Sequence, residues 1–467
     1  MLAPLLLLLA SPHELSLPPP PTPPSSDAAL QAAHARLHAA WAGLHAYFYD
    51  EGGFWKCCGQ TGGSGGAAPF DCRCEPSSPF CTHCFRWWMA VGAQSLVSAS
   101  ALTNLTNATD AVLREIYAHS PYTSRFQPSW AYIDDYLWYV LLWLDVSRWS
   151  GRPPLTDFTE EAAATFDQMY AWGADEPCGG IVWLYPDADP QKNAVTVLEA
   201  VQASAQLALR LAGRPRDARG EKYRARAVRL WAWFEQVQLL DGAGLVQDHV
   251  SGAAHGARHC CNRTAAPVCL PRNTTRWSYN QGLALGAAAD LFALTKDERF
   301  LRTGARVLEA VLSRMTRTGG ATGGRVLTET VPLTVTSAAC DETHDPSAPA
   351  GGDLYSFKAV FMQQLPRFLE AAAHMLEAPL REAAVRLVSD SADEAWATRA
   401  VPPFSPSDVC NEFRHPPLAP GGPPKFTWDW GPAPSGLTCM DARTQFSAFS
   451  LFVADLRIKV QAKNQGW

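Results

Sequence analysis

Ser129-Trp-Ala-Tyr-Ile-Asp134-Asp135-Tyr-Leu-Trp-Tyr-Val-Leu-Leu-Trp-Leu-Asp-Val-Ser-Arg148 sets two adjacent carboxylates at the head of a strongly apolar segment. From residue 134 to 148 the stretch reads as a helix, and helical Ala- and Leu-rich stretches recur along the chain. They fall at roughly 27–47, 85–101, 158–172, 192–213, 221–239, 278–294, 298–315, 354–375, 378–397 and 441–458. Gly- and Pro-rich loops separate them, and no strand series appears. Short apolar pieces such as Arg325-Val-Leu-Thr-Glu-Thr330 read as small strands within loops. Paired helices with no dividing linker predict one all-α domain. About six antiparallel pairs can close into a ring, an (α/α)6 barrel, while an open solenoid is the alternative. The pairs share no repeat motif, which favours the ring. In a ring, loops at one end surround a central cleft.

The acid pair carries the chemistry to be explained. Two ionised carboxylates side by side repel, so one should hold its proton to higher pH. The aromatic surround (Trp130, Tyr132, Tyr136, Trp138 and Tyr139) strengthens that by desolvation. One proton donor beside one charged carboxylate is what glycosidic cleavage requires. The plainer reading is that Asp134 or Asp135 caps a helix, since acids favour the first turn.

Composition narrows the classes. The chain has 467 residues, 47% of them hydrophobic, with 17 Trp, 12 Tyr and 20 Phe, enough for a large core and for aromatic faces that stack sugars. A net charge of −6 without basic runs argues against a nucleic-acid partner. Met1 to Ala10 is too short to span a bilayer but suits a secretory signal cleaved after Ala10, with a Pro-rich linker over 11–26 and the main domain over 27–460. No stable membrane anchor is expected, and the C-terminus shows no lipid-anchor signal. The chain is expected to be secreted, extracellular or cell-wall associated, and to act as a monomer.

Thirteen cysteines fit that route. Cys57, Cys58, Cys72, Cys74, Cys81 and Cys84 crowd an insertion at 56–84, and Cys260, Cys261 and Cys269 form a second cluster. Disulfides are expected, with zinc at Cys72, Cys74, Cys81, His83 and Cys84 as the rival. Sequons at Asn104, Asn107, Asn262 and Asn273 agree with glycosylation. No cofactor or metal is required. His249 and Asp248 could hold an ion, but surface or core roles account for them better.

Four further segments accompany the acid pair: Phe85-Arg-Trp-Trp88, Gly179-Gly-Ile-Val-Trp183 with Lys192-Asn-Ala194, Trp277-Ser-Tyr-Asn-Gln-Gly282, and Asp353-Leu-Tyr-Ser-Phe-Lys358. A doubled Trp, Asp-Asp before an aromatic helix, Gly-Gly-Ile-x-Trp with Lys-Asn-Ala, Tyr-Asn-Gln-Gly and Phe-Lys, in this order, resemble glycoside hydrolase family 76. That family comprises endo-α-1,6-mannanases and related fungal cell-wall transglycosidase-like proteins. The resemblance runs from about 85 to 375 and implies an (α/α)6 fold. It also implies a retaining reaction on an α-mannan-like polysaccharide, with Asp134 as nucleophile and Asp135 as general acid/base. Neighbouring residues, with Cα atoms about 3.8 Å apart, can hold carboxyls at the retaining separation of about 5–5.5 Å if their side chains diverge.

Asn193, Tyr279, Asn280 and Gln281 are the candidates for sugar hydroxyls, and Trp88, Trp138 and Trp183 for stacking. For Asn193 the alternative is a helix cap, and for each Trp it is core packing. One departure stands out, since the family continues Lys-Asn-Ala-Ile-Ser-Asn where this chain has Lys192-Asn-Ala-Val-Thr-Val197. The Cys-rich insertion either rims the cleft or is a stabilising surface loop. An internally cleaving hydrolase leads, a transglycosidase is the close rival, and a non-catalytic glycan-binding protein would not need both acids.

Overall fold

Helices buried on every side alternate with helices buried on one side only, and that alternation builds the architecture. The computed structural model describes residues 26–48, 87–149, 157–174, 179–186, 191–212, 214, 217–250, 272–330, 354–401, 422–427, 430 and 442–465. Among these lie twelve helices: α1 (Ser26–Phe48), α2 (Trp87–Ser100), α3 (Thr106–His119), α4 (Ile133–Arg148), α5 (Phe158–Gly173), α6 (Ala194–Leu211), α7 (Arg219–Gln236), α8 (Ser278–Thr295), α9 (Arg299–Arg314), α10 (Leu354–Ala372), α11 (Ala378–Ala397) and α12 (Ala442–Gln465). The signal-like start, the linker up to residue 25, the insertion at 56–84, every cysteine, His83 and Asn262 fall outside the described residues.

The even-numbered helices form the inner ring. α8 is buried without a break from Ser278 to Leu291, and α4 from Tyr136 to Leu144. A helix with no polar face has to sit inside. Outer helices show a stripe instead: α9 buries Phe300, Leu301, Gly304, Val307, Leu308 and Val311, at three- and four-residue spacing. Each inner helix packs on the next, and α12 returns to α2, so the ring is closed as the (α/α)6 reading expected. Gly282 lets α8 and α10 approach closely, since a Cβ there would lie 2.5 Å from the Phe361 Cα. At the C-terminal ends of the inner helices polar side chains link neighbours. Gln94 bonds Asp145 at 3.0 Å, Gln206 bonds Asp290 at 2.9 Å and Arg367 bonds Asp290 at 2.7 Å.

At the opposite end, short strands lead into the inner helices. β1 (Ala131–Tyr132) pairs with β2 (Leu184–Tyr185), and β3 (Lys192–Asn193) with β4 (His249–Val250), which pairs with β5 (Arg272–Asn273). All pairings are antiparallel. The expected small strand at Arg325 exists as β7 (Arg325–Leu327), paired with β6 (Thr316–Thr318). The strands therefore gather the first turns of α4, α6 and α8 at one mouth.

Candidate active site

Asp134 and Asp135 occupy the first turn of α4, where helix amides and the positive end of the helix dipole favour negative charge. Neither acid is the cap, because Tyr132 holds that position with extended backbone and without a side-chain capping bond. Capping therefore does not explain the pair. Asp135 accepts a hydrogen bond from the Tyr122 hydroxyl at 3.2 Å. Asp134 accepts one from the Trp183 indole N–H at 3.0 Å through Oδ2, while its Oδ1 is buried without a partner. Burial, then the neighbouring charge of Asp135, raise the Asp134 carboxyl well above the usual range, against the pull of the Trp183 donor.

The strand pairing explains how Trp183 arrives there. Tyr132 faces Leu184 across the β1–β2 ladder, and the Ile133 amide donates to the Trp183 carbonyl at 2.7 Å. Gly179 and Gly180, at φ +73° and +75°, let the preceding loop cross the Trp233 ring, where a Cβ on Gly180 would lie 2.7 Å from that ring. Lys192 fastens the turn by donating to the Gly179 carbonyl at 2.7 Å. The Lys side chain of the Lys-Asn-Ala motif thus acts as a strut. Asn193 begins α6 through its extended backbone, without a side-chain cap, and its carbonyl oxygen accepts from Gln191 at 2.6 Å.

From α8, Tyr279 stacks on Phe357 with centroids 4.0 Å apart and donates to Asp248 at 3.4 Å. The Asn280 amide N–H donates to the same Asp248 oxygen at 3.3 Å, and the other Asp248 oxygen meets His249 Nδ1 at 2.9 Å. Asp248 and His249 are thus a bonded pair beside Tyr279 and Asn280. Among the described residues no group of three metal-ligating side chains gathers. Glu329 holds the start of α8, accepting from the Ser278 amide at 2.8 Å and from its hydroxyl.

Three expected sugar contacts are corrected. Trp88, 2% exposed, packs on Phe446, and Trp138, 1% exposed, packs on Trp87. A ring with no open face cannot stack on a sugar. Gln281 is equally committed, accepting from the Val246 amide at 2.8 Å and donating to the Val246 carbonyl at 2.9 Å and the Trp277 carbonyl at 3.0 Å. It ties α8 to the 246–250 segment. Trp183 keeps partial exposure, and beyond it lies an aromatic lane. Tyr132 sits 4.7 Å from Trp183, and Trp130, 51% exposed, meets Tyr132 edge-on at 5.8 Å.

Tyr122 and Asp248 join the site although no motif marks them, and Glu199 lies fully buried on α6. Asp248 stood out only as the neighbour of His249, and Glu199 as a lone acid in an Ala/Val/Leu helix, because unpaired acids are rarely buried.

Comparison with known proteins adds three findings. The model of Glycosyl hydrolase family 76 matches residues 44–402. Mannan endo-1,6-alpha-mannosidase DCW1 of Candida albicans is 28% identical over 295 residues, 60% of this chain, and the chain spans 58% of that relative's length. The fold is similar to that of an α-1,6-mannanase from a Salegentibacter species, with TM-score 0.60 and 16% identity over 91% of this chain and 98% of that one. It is also similar to that of Dfg5 from Chaetomium thermophilum solved with glucosamine, with TM-score 0.60 and 17% identity over 93% and 91% of the two chains.

Proposed function

Because the chain belongs to glycosyl hydrolase family 76, we propose that it cleaves α-1,6-linked mannan internally, with retention of configuration at the anomeric carbon. The observation that carries this is the acid pair itself, two carboxyls in one helical turn with the Trp183 donor on one and the Tyr122 hydroxyl on the other. The pair holds one proton between its members and titrates as a unit. In the empty cleft burial keeps that proton on Asp134. A sugar lying over Asp135 strips water from it, raises its proton affinity and draws the proton across. Asp134 is then charged, with the Trp183 indole to stabilise it, and attacks C1 as Asp135 protonates the departing oxygen. Asp135 next takes a proton from water, whose oxygen displaces Asp134 from C1.

Asn193, Tyr279 and Asn280, with Asp248, supply polar contacts to the sugar in this reading, and Trp183, Tyr132 and Trp130 stack the chain beyond it. A secreted glycoprotein is the matching context. Asn104 just before α3 and Asn107 in its first turn are exposed, and no helix among the described residues is long and apolar enough to cross a membrane.

The test is to incubate the full chain with linear α-1,6-mannan and separate the products by size, with Asp134→Asn as control. Short manno-oligosaccharides from the wild type alone are expected. Products longer than the starting chains would assign sugar transfer instead, and unchanged mannan would overturn the substrate.

A further inference from the structure

Behind the acid pair the inner wall carries a third carboxyl that the mechanism above does not use. Glu199 lies in the second turn of α6, fully buried, and neither of its oxygens has a hydrogen-bond partner. On the adjoining helix α4, Oδ1 of Asp134 is buried and unpartnered too. Thr196 Oγ1 of α6 and Asn280 Oδ1 of α8 are further unpartnered buried atoms in the first turns of their helices. Polar atoms buried without a partner are uncommon, and these lie in the first two turns of three adjoining inner helices.

A carboxyl buried without a donor cannot hold charge. Burial, then the nearby charges of Asp134 and Asp135, raise Glu199 well above the ordinary glutamate range. Among the described residues, the remaining elements around α6 bring no compensating cation. Lys192 of β3 is bonded to the Gly179 carbonyl, and Arg367 of α10 reaches Gln202 but is paired with Asp290. α8 has no acid or base before Asp290 apart from the Tyr279 phenol. The α5 acids Glu160 and Asp167 pair with Arg219, Lys222 and Arg226 of α7, and Glu161 bonds Ser124 and Thr165. Glu199 is therefore a neutral acid and a potential donor on the helix packed against α4, where Oδ1 of Asp134 lacks one.

We propose that Glu199 is a positioning residue that donates its O–H to the unpartnered Oδ1 of Asp134, directly or through one enclosed water, when Asp134 carries charge. The proton stays on Glu199 throughout, and no bond to carbon changes there. A donor to the charged form favours that form, so Glu199 and Trp183 together would hold the Asp134 carboxylate from both oxygens. The proposal rests on the reading of Asp134 as the attacking group.

Two near-isosteric variants of the full chain test it, after circular dichroism and melting establish that they fold. Glu199→Gln stays neutral and keeps a donor, and Glu199→Leu removes the donor. The first readout needs no substrate. In infrared titrations the protonated-carboxyl band absent from Asp134→Asn reports Asp134. Its midpoint should stay near the wild-type value in Glu199→Gln and rise by about one to two pH units in Glu199→Leu, the span expected for one hydrogen bond to a charged group. A second protonated-carboxyl band at pH 7 should vanish in both Glu199 variants. The alkaline limb of kcat/KM on α-1,6-mannotetraose should move with the Asp134 midpoint. An unmoved midpoint in folded Glu199→Leu, or no Glu199 band in the wild type, overturns the proposal. So does an inactive but natively melting Glu199→Gln beside an active wild type. If the infrared shifts appear while wild type leaves mannan intact, the substrate reading fails and the Glu199 assignment stands.

Discussion

Replacing Trp183 by Phe isolates one hydrogen bond at the acid pair. The substitution keeps an aromatic ring against Tyr132 but deletes the indole N–H that reaches Asp134 at 3.0 Å. Asp134 is already raised by burial, and this donor is the largest influence opposing the rise. A hydrogen bond to a charged group contributes about 1.5–3 kcal/mol, and about 1.4 kcal/mol is one pKa unit or a tenfold change in rate. Trp183→Phe should therefore raise the Asp134 proton affinity by roughly one to two units. The sign follows directly. Asp134 must pass the shared proton to Asp135 before it attacks, so a tighter hold on that proton lowers activity wherever the pair carries it and moves its loss to higher pH. The assay is the pH dependence of kcat/KM on α-1,6-mannan, with the melting temperature as a check on folding. About a ten- to hundredfold loss is expected while the pair carries its proton, shrinking on the alkaline side where the wild type has lost it. A loss below threefold, or an equal loss at every pH, would refute the reasoning, because the ring alone would then account for Trp183.

Other perturbations probe different parts of the account. Trp130→Ala should lower kcat/KM on long mannan by about three- to tenfold, the range of one aromatic contact, and leave the shortest cleavable oligosaccharide unaffected. An equal loss on both would place Trp130 elsewhere in the site. Gly282→Ala would drive a methyl into the α10 backbone, which cannot rotate aside, so denaturant unfolding should show a loss of about 1–3 kcal/mol. Glu199, raised in the folded state, contributes stability that is complete below its unfolded pKa and is lost as pH rises towards the folded one. Relative to Glu199→Gln, the wild type should thus lose up to about 1.4 kcal/mol per pH unit across that window, and parallel stability curves would contradict this.

The fold was legible because its helices differ in kind. Eleven of them announced themselves as long Ala- and Leu-rich stretches. The one passed over, α3, buries Thr109, Val112, Leu113 and Ile116 at helical spacing, but most of its other positions are polar or Ala and it opens with the poor helix formers Thr106 and Asn107. Closure of the ring depends on α12 meeting α2, a contact between the two ends of the folded region that no local pattern encodes.

At the site, the acid pair, Trp183 and the Tyr279–Asn280 pair could be read from local sequence, since each sits where a helix or strand begins. Radial direction could not. An inner helix buried all round has no polar face to fix its phase, so Trp88 and Trp138 looked the same as Trp183 until packing separated them. Gln281 misled for a related reason, because its neighbours Tyr279 and Asn280 turn to Asp248 while its own amide clamps Val246. Tyr122 and Asp248 reach the site only through tertiary contacts.

The central claim, that Asp134 and Asp135 cleave an α-mannoside through a glycosyl-enzyme, is tested most directly by the anomeric configuration of the first product. Proton NMR of α-1,6-mannotetraose, recorded from the first seconds after adding enzyme, should show the α-hemiacetal appearing first and β only later by mutarotation. A first-formed β product would require attack by water in a single step and would contradict the paired-carboxylate mechanism.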